Sequence, residues 1–95
     1  MKVPMPFKRK LKYKGMYAIR TGEYSGGFII YIKEHNMGDS LAFLSIPNPM
    51  ESIYFDKNEI NLWIKEGLLE FIESLPTDVY DVCKANFEYH KKKAL

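Results

Sequence analysis

Apolar residues run together or alternate through the first half of the chain and recur at helical steps through the second. Met16 to Thr21 is a β-type run closed by Gly22, and Gly22 to Gly27 reads as a turn rich in glycine. Phe28 to Lys33 is largely apolar at successive positions, the mark of a central strand covered on both faces. His35 to Asp39 is a second turn, and Leu41 to Ile46 is again apolar on both faces. Pro47-Asn48-Pro49 must be a loop, because proline cannot donate to a central ladder. Ser52 to Phe55 is a short fourth strand.

The period then changes. Asp56 and Glu59 have capping-box spacing. Ile60, Trp63, Ile64, Leu68, Phe71, Ile72 and Leu75 follow at three- and four-residue steps, which predicts an amphipathic helix. Gly67 lies inside that stripe and can end a first helix. The competing reading makes Ile60 to Ile64 a last strand, with only 68–75 helical. A final helix over about 77–92 can be capped by Ser74 or Thr77, with Pro76 tolerated just before or within its first turn. Its expected inward face is Val79, Val82, Cys83, Asn86 and Phe87.

These elements predict one α+β domain over residues 1–95, with an irregular arm (1–14), an antiparallel region (15–55) and a helical region (56–95). The expected architecture is a small antiparallel sheet of about four strands, curled toward an SH3-like or partly closed barrel. The C-terminal helices pack on one face of it. Trp63, Phe71 and Phe87 are expected to meet Phe28, Ile30 and Phe43 in the core.

Composition sharpens this picture in three ways. The 46% of hydrophobic residues in 95 supply a core and argue against a disordered chain. The longest apolar run, Phe28 to Ile32, is far short of the ~20 residues that span a bilayer, so no membrane is expected. A lone cysteine, Cys83, and no apolar leader-like run after the basic start lead us to expect a cytoplasmic protein.

The net charge of +2 hides a segregation. Residues 1–15 carry Lys2, Lys8, Arg9, Lys10, Lys12 and Lys14 and no acid, whereas Glu34 to Glu88 holds eleven acids against three lysines, a net of −8. Lys8, Arg9, Lys10, Lys12 and Lys14, with Phe7, Tyr13 and Tyr17 nearby, could hold nucleic acid through phosphate contacts and base stacking, or an acidic protein surface. Glu66, Glu70 and Glu73 share a helical face at four- and three-residue spacing and form a candidate acidic contact surface for a basic partner.

Catalytic and metal chemistry find little support. Cys83 and His90 are two helical turns, ~10 Å, apart on one helix, too far for a nucleophile and its base. Cys83 reads as a core residue, and His35, in a turn, as a solvated histidine. Two histidines and one cysteine give no close metal-ligand spacing, so neither metal nor cofactor is expected.

Tyr17-x-Ile19-x-x-Gly22-x-x-x-Gly26 resembles the start of a KOW-type motif, found in small SH3-like barrels of ribosomal and transcription proteins. The next glycine of that motif is replaced here by Ile29, and the match covers about ten residues. The resemblance implies a small barrel that binds RNA or protein through its loops.

The functional expectation is a small non-catalytic binding or regulatory protein that acts through protein contact, with a different protein or a second copy. Tyr24, Tyr54, Tyr80 and Tyr89 are its candidate anchors. The competing expectation is a nucleic-acid-binding accessory domain that uses the basic arm.

Overall fold

A computed structural model describes residues 11–47 and 50–93. Lys8, Arg9 and Lys10 lie outside the described residues. The elements in chain order are β1 (Gly15–Ile19), β2 (Phe28–Tyr31), a 3-10 turn (Lys33–His35), β3 (Ser40–Ile46), β4 (Glu51–Asp56), α1 (Lys57–Lys65), β5 (Leu69–Ser74) and α2 (Thr77–Lys93). The five strands form one antiparallel sheet in the order β4-β3-β2-β1-β5. The sheet is open, with β4 and β5 at its edges. The α+β class expected from the sequence therefore holds, without closure into a barrel.

Side-chain alternation gives each inner strand two apolar faces. Tyr17, Ile29, Tyr31, Phe43 and Ile53 share one face, covered by Ile60 and Ile64 of α1. Ile30, Ile32, Ala42 and Leu44 share the other, covered by Tyr80 and Phe87 of α2. Thus the two helices pack on opposite faces and not on one. Phe43 and Phe87 are fully buried but in different cores, while Phe28 and Phe71 are partly exposed. Burying one such side chain contributes roughly 1.5–3 kcal/mol, so both layers are needed to hold a sheet of this size.

Asp56 ends β4 and caps α1, its carboxylate accepting from the Asn58 N–H at 2.9 Å. The helix stops at Lys65, ten residues before its apolar stripe ends at Leu75. At Gly67 the chain adopts φ 76°. The Leu68 N–H then bonds the Trp63 carbonyl at 2.8 Å, and the Gly67 N–H the Ile64 carbonyl at 3.2 Å. This pair of reversed bonds is a Schellman ending, which favours glycine at its left-handed position. Released from the helix, Leu69 to Ser74 pairs with β1 as a fifth strand, where the sequence pattern predicted helix.

A bulge explains the misleading periodicity. Phe71 pairs with Tyr17 and Glu73 with Met16, so Ile72 is an extra residue in β5. One inserted residue resets the two-residue alternation, and Leu68, Phe71, Ile72 and Leu75 then mimic helical steps. The final helix begins at Thr77 as expected. Its inner face is turned relative to the predicted one: Tyr80 is buried at 1% exposure, while Val79 and Val82 face outward. Tyr80 offers more apolar surface than either valine, and its hydroxyl reaches the Glu34 carboxylate in the 3-10 turn.

Candidate functional site

β5 is held to the sheet along one side only. Its inner side bonds β1, reinforced by the Arg20 N–H to the Leu68 carbonyl (2.8 Å) and the Leu75 N–H to the Lys14 carbonyl (2.9 Å). Among the described residues no strand pairs with its outer side. Phe71 and Ile72 are exposed on this strand, by 38% and 43%. An edge of this kind presents unpaired backbone donors and acceptors to an incoming extended chain.

A cavity of about 380 Å³ opens beside it, lined by Lys12, Tyr17, Ile64, Leu69, Glu70 and Phe71. Tyr17 and Phe71 pack edge to face at 5.5 Å between ring centres. The Tyr17 hydroxyl accepts the Lys12 backbone N–H at 2.7 Å, and the Lys12 ammonium lies 5.4 Å from the Phe71 ring centre. Apolar walls joined by one cation and one carboxylate suit one apolar side chain of a docked segment.

The acidic residues singled out in the sequence do not form the helical face expected of them. Glu66 is the C-cap of α1, and Glu70 and Glu73 stand on strand β5, because the helix ends before Gly67. The bulge nevertheless places Glu70, opposite Ala18, and Glu73, opposite Met16, on one face of the sheet. Glu70 pairs with Arg20 at 2.6 Å, with both side chains more than half exposed, so the pair contributes at most about 1 kcal/mol.

Of the basic arm, Lys12 and Lys14 are described. Lys14 is partly buried, its ammonium 2.7 Å from the Thr77 hydroxyl and 5.2 Å from the Tyr13 ring centre. Tyr13 and Tyr80 both donate to the Glu34 carboxylate, and their rings pack edge to face at 5.5 Å. Partial burial acts to raise the Glu34 pKa. The two hydroxyl donors, its own backbone N–H and the Lys84 charge outweigh that effect and hold the carboxyl down at about 2. Burial, and then the bond to Glu34, push the Tyr80 pKa up, so its hydroxyl stays a donor. This network ties the chain before β1, the 3-10 turn and α2 together. No local pattern announces it, since Tyr13, Glu34 and Tyr80 are far apart along the chain.

His35 is not the solvated residue expected. It stacks on Phe87, ring centres 4.9 Å apart, and its Nε2 lies 2.9 Å from the Glu88 carboxylate. Cys83 packs against the α2-side core, where burial pushes its thiol pKa up. Of the expected anchors, Tyr80 is buried, and Tyr24 and Tyr54 are half-buried against the sheet, the Tyr54 hydroxyl without a hydrogen-bond partner among the described residues. Tyr89 is exposed.

Among the described residues no group of three or more His, Cys, Asp or Glu is placed to hold a metal ion. No described helix is long and apolar enough to cross a membrane. Comparison with protein-family models, curated proteins and solved structures gave no match.

Proposed function

We propose that this chain is a non-catalytic binding or regulatory protein that acts through protein contact, and that the β5 edge receives an extended segment of its partner. The observation that carries this reading is the combination at β5: an edge with no strand beside it among the described residues, exposed Phe71 and Ile72, and the adjoining apolar cavity. Backbone pairing would supply affinity, and one partner side chain in the cavity would supply selectivity. Self-pairing centred between Phe71 and Ile72 would set Glu70 against Glu73 of the other copy, a like-charge contact that disfavours it. The same acids favour a basic partner strand.

Selection of displayed peptides against the full chain tests this, followed by amide chemical-shift mapping of the selected sequences. Basic, extended peptides that shift residues 69–74 are expected. Selected peptides that leave those amides unmoved would overturn the reading. Light scattering on the pure protein separates a foreign partner from a second copy.

One observation favours nucleic acid as a second reading. Tyr13, 48% exposed, has the Lys14 and Lys33 ammoniums at 5.2 and 5.8 Å from its ring centre. An aromatic near cations is the arrangement that stacks on a base while neutralising phosphates. It requires binding to single strands that weakens steeply with salt. The absence of binding near 50 mM salt, in the range where such contacts are strong, would eliminate it.

A further inference from the structure

A second cavity of about 380 Å³ lies on the α1-bearing face. It is lined in part by the turn after β1, by β4 and by α1. Tyr24, Phe55 and Trp63 form an aromatic wall. Phe55 meets Tyr24 at 6.2 Å and Trp63 at 5.0 Å between ring centres, both edge to face. All three rings are half-buried, held by the core beneath them.

Carboxylates stand around this wall. Glu23 and Glu59 line the cavity and are exposed. Glu51 accepts the Tyr24 hydroxyl at 2.7 Å. Burial and that bond raise the Tyr24 pKa, so the hydroxyl stays protonated and aimed at Glu51. Among the described residues the ion pairs are Arg20–Glu70 and His35–Glu88, and neither involves these three acids. Aromatic faces and two exposed carboxylates, Glu23 and Glu59, that enter neither of these ion pairs line one small cavity and call for a cation with apolar surface.

We propose that this cavity receives an arginine side chain of a protein partner, its guanidinium against the aromatic wall and its N–H groups on Glu23 and Glu59. Arginine fits better than lysine. Its planar, weakly hydrated head stacks on rings and bonds carboxylates as a fork, whereas an ammonium must be stripped of tightly held water. It also fits better than a quaternary ammonium, which has no N–H and would leave the carboxylate acceptors idle. The proposal stands on other residues than the β5 reading and does not depend on it.

Titration of the isotope-labelled full chain with N-acetyl-arginine amide tests it. The probe should shift the Trp63 indole N–H and the amides of Thr21 to Tyr24 and Glu59. N-acetyl-citrulline amide, a neutral isostere, should leave them in place. E23Q and E59Q alter exposed side chains, and each should weaken the arginine response about tenfold, the loss of one charge-assisted bond. Equal binding of citrulline would overturn the proposal, as would equal or tighter binding of tetramethylammonium or of the lysine analogue. Arginine shifts confined to residues 69–74 would also overturn it while leaving the strand-addition reading intact.

Discussion

Replacing Gly67 with alanine asks the chain which secondary structure residues 66–74 prefer. In the fold described here Gly67 has φ 76°, and a Cβ built on it would meet no atom within 4 Å. The cost is therefore conformational, not steric. A left-handed L-residue costs roughly 1–2 kcal/mol. Stiffening of the unfolded chain returns about 0.4–1 kcal/mol. The net is a destabilisation of about 1 kcal/mol, or a fall in Tm of about 4–8 °C for a domain of this size. Gly67→Asn, which tolerates the left-handed region, should lose clearly less. Urea unfolding followed by circular dichroism measures both variants. A continuous helix through this position makes the opposite forecast, because alanine would then stabilise it by about 1 kcal/mol. A rise in midpoint for Gly67→Ala would refute the Schellman ending and the fifth strand with it.

Phe87→Ala should cost about 3–5 kcal/mol, since this fully buried ring fills the α2-side core, and a calorimetric Tm within 5 °C of the parent would contradict that packing. The depressed folded pKa of Glu34 stabilises the fold above its ordinary value of 4.5, and that contribution fades as pH falls toward about 2. Glu34→Gln should therefore flatten the loss of urea midpoint between those two pH values; an unchanged acid profile would count against the tyrosine–carboxylate network. Ile72→Lys, on the exposed edge, should change stability by less than about 0.5 kcal/mol yet abolish peptide-induced shifts along β5. Undiminished binding by that variant would argue against strand addition.

The sequence was most readable where local chemistry decides the outcome. Strands β1 to β4 and the helix from Thr77 fall within a residue or two of the predicted ones. Asp56 and Gly67 mark the two ends of α1 by capping and backbone handedness, both local effects. The two-sided apolar character of Phe28 to Tyr31 and Leu41 to Ile46 already implied cover on both faces, a sign in tension with helices stacked on one. β5 was hidden by its bulge, which depends on pairing with a strand far back in the chain. The site residues fared worse for the same reason. Lys12 and Glu70 do line one cavity, but Glu66, Glu70 and Glu73 owe their placement to a turn and a strand, not to helical spacing. Tyr24, Phe55 and Trp63 converge only after the turn following β1 folds across the sheet, which no spacing rule announces.

The strand order has a kinetic corollary. β1 to β4 are neighbours in sequence as in space, so each pairing closes a short loop. β5 is different, because Gly15 must find Ser74 across nearly the whole domain. Closing so long a loop costs more entropy and is repaid by one side of bonding alone. β5 is thus the strand that docks last and opens first, and its amides should exchange with solvent ahead of those of β2 and β3. An edge that opens locally before the cores do can trade its own pairing for that of an incoming chain without unfolding the rest.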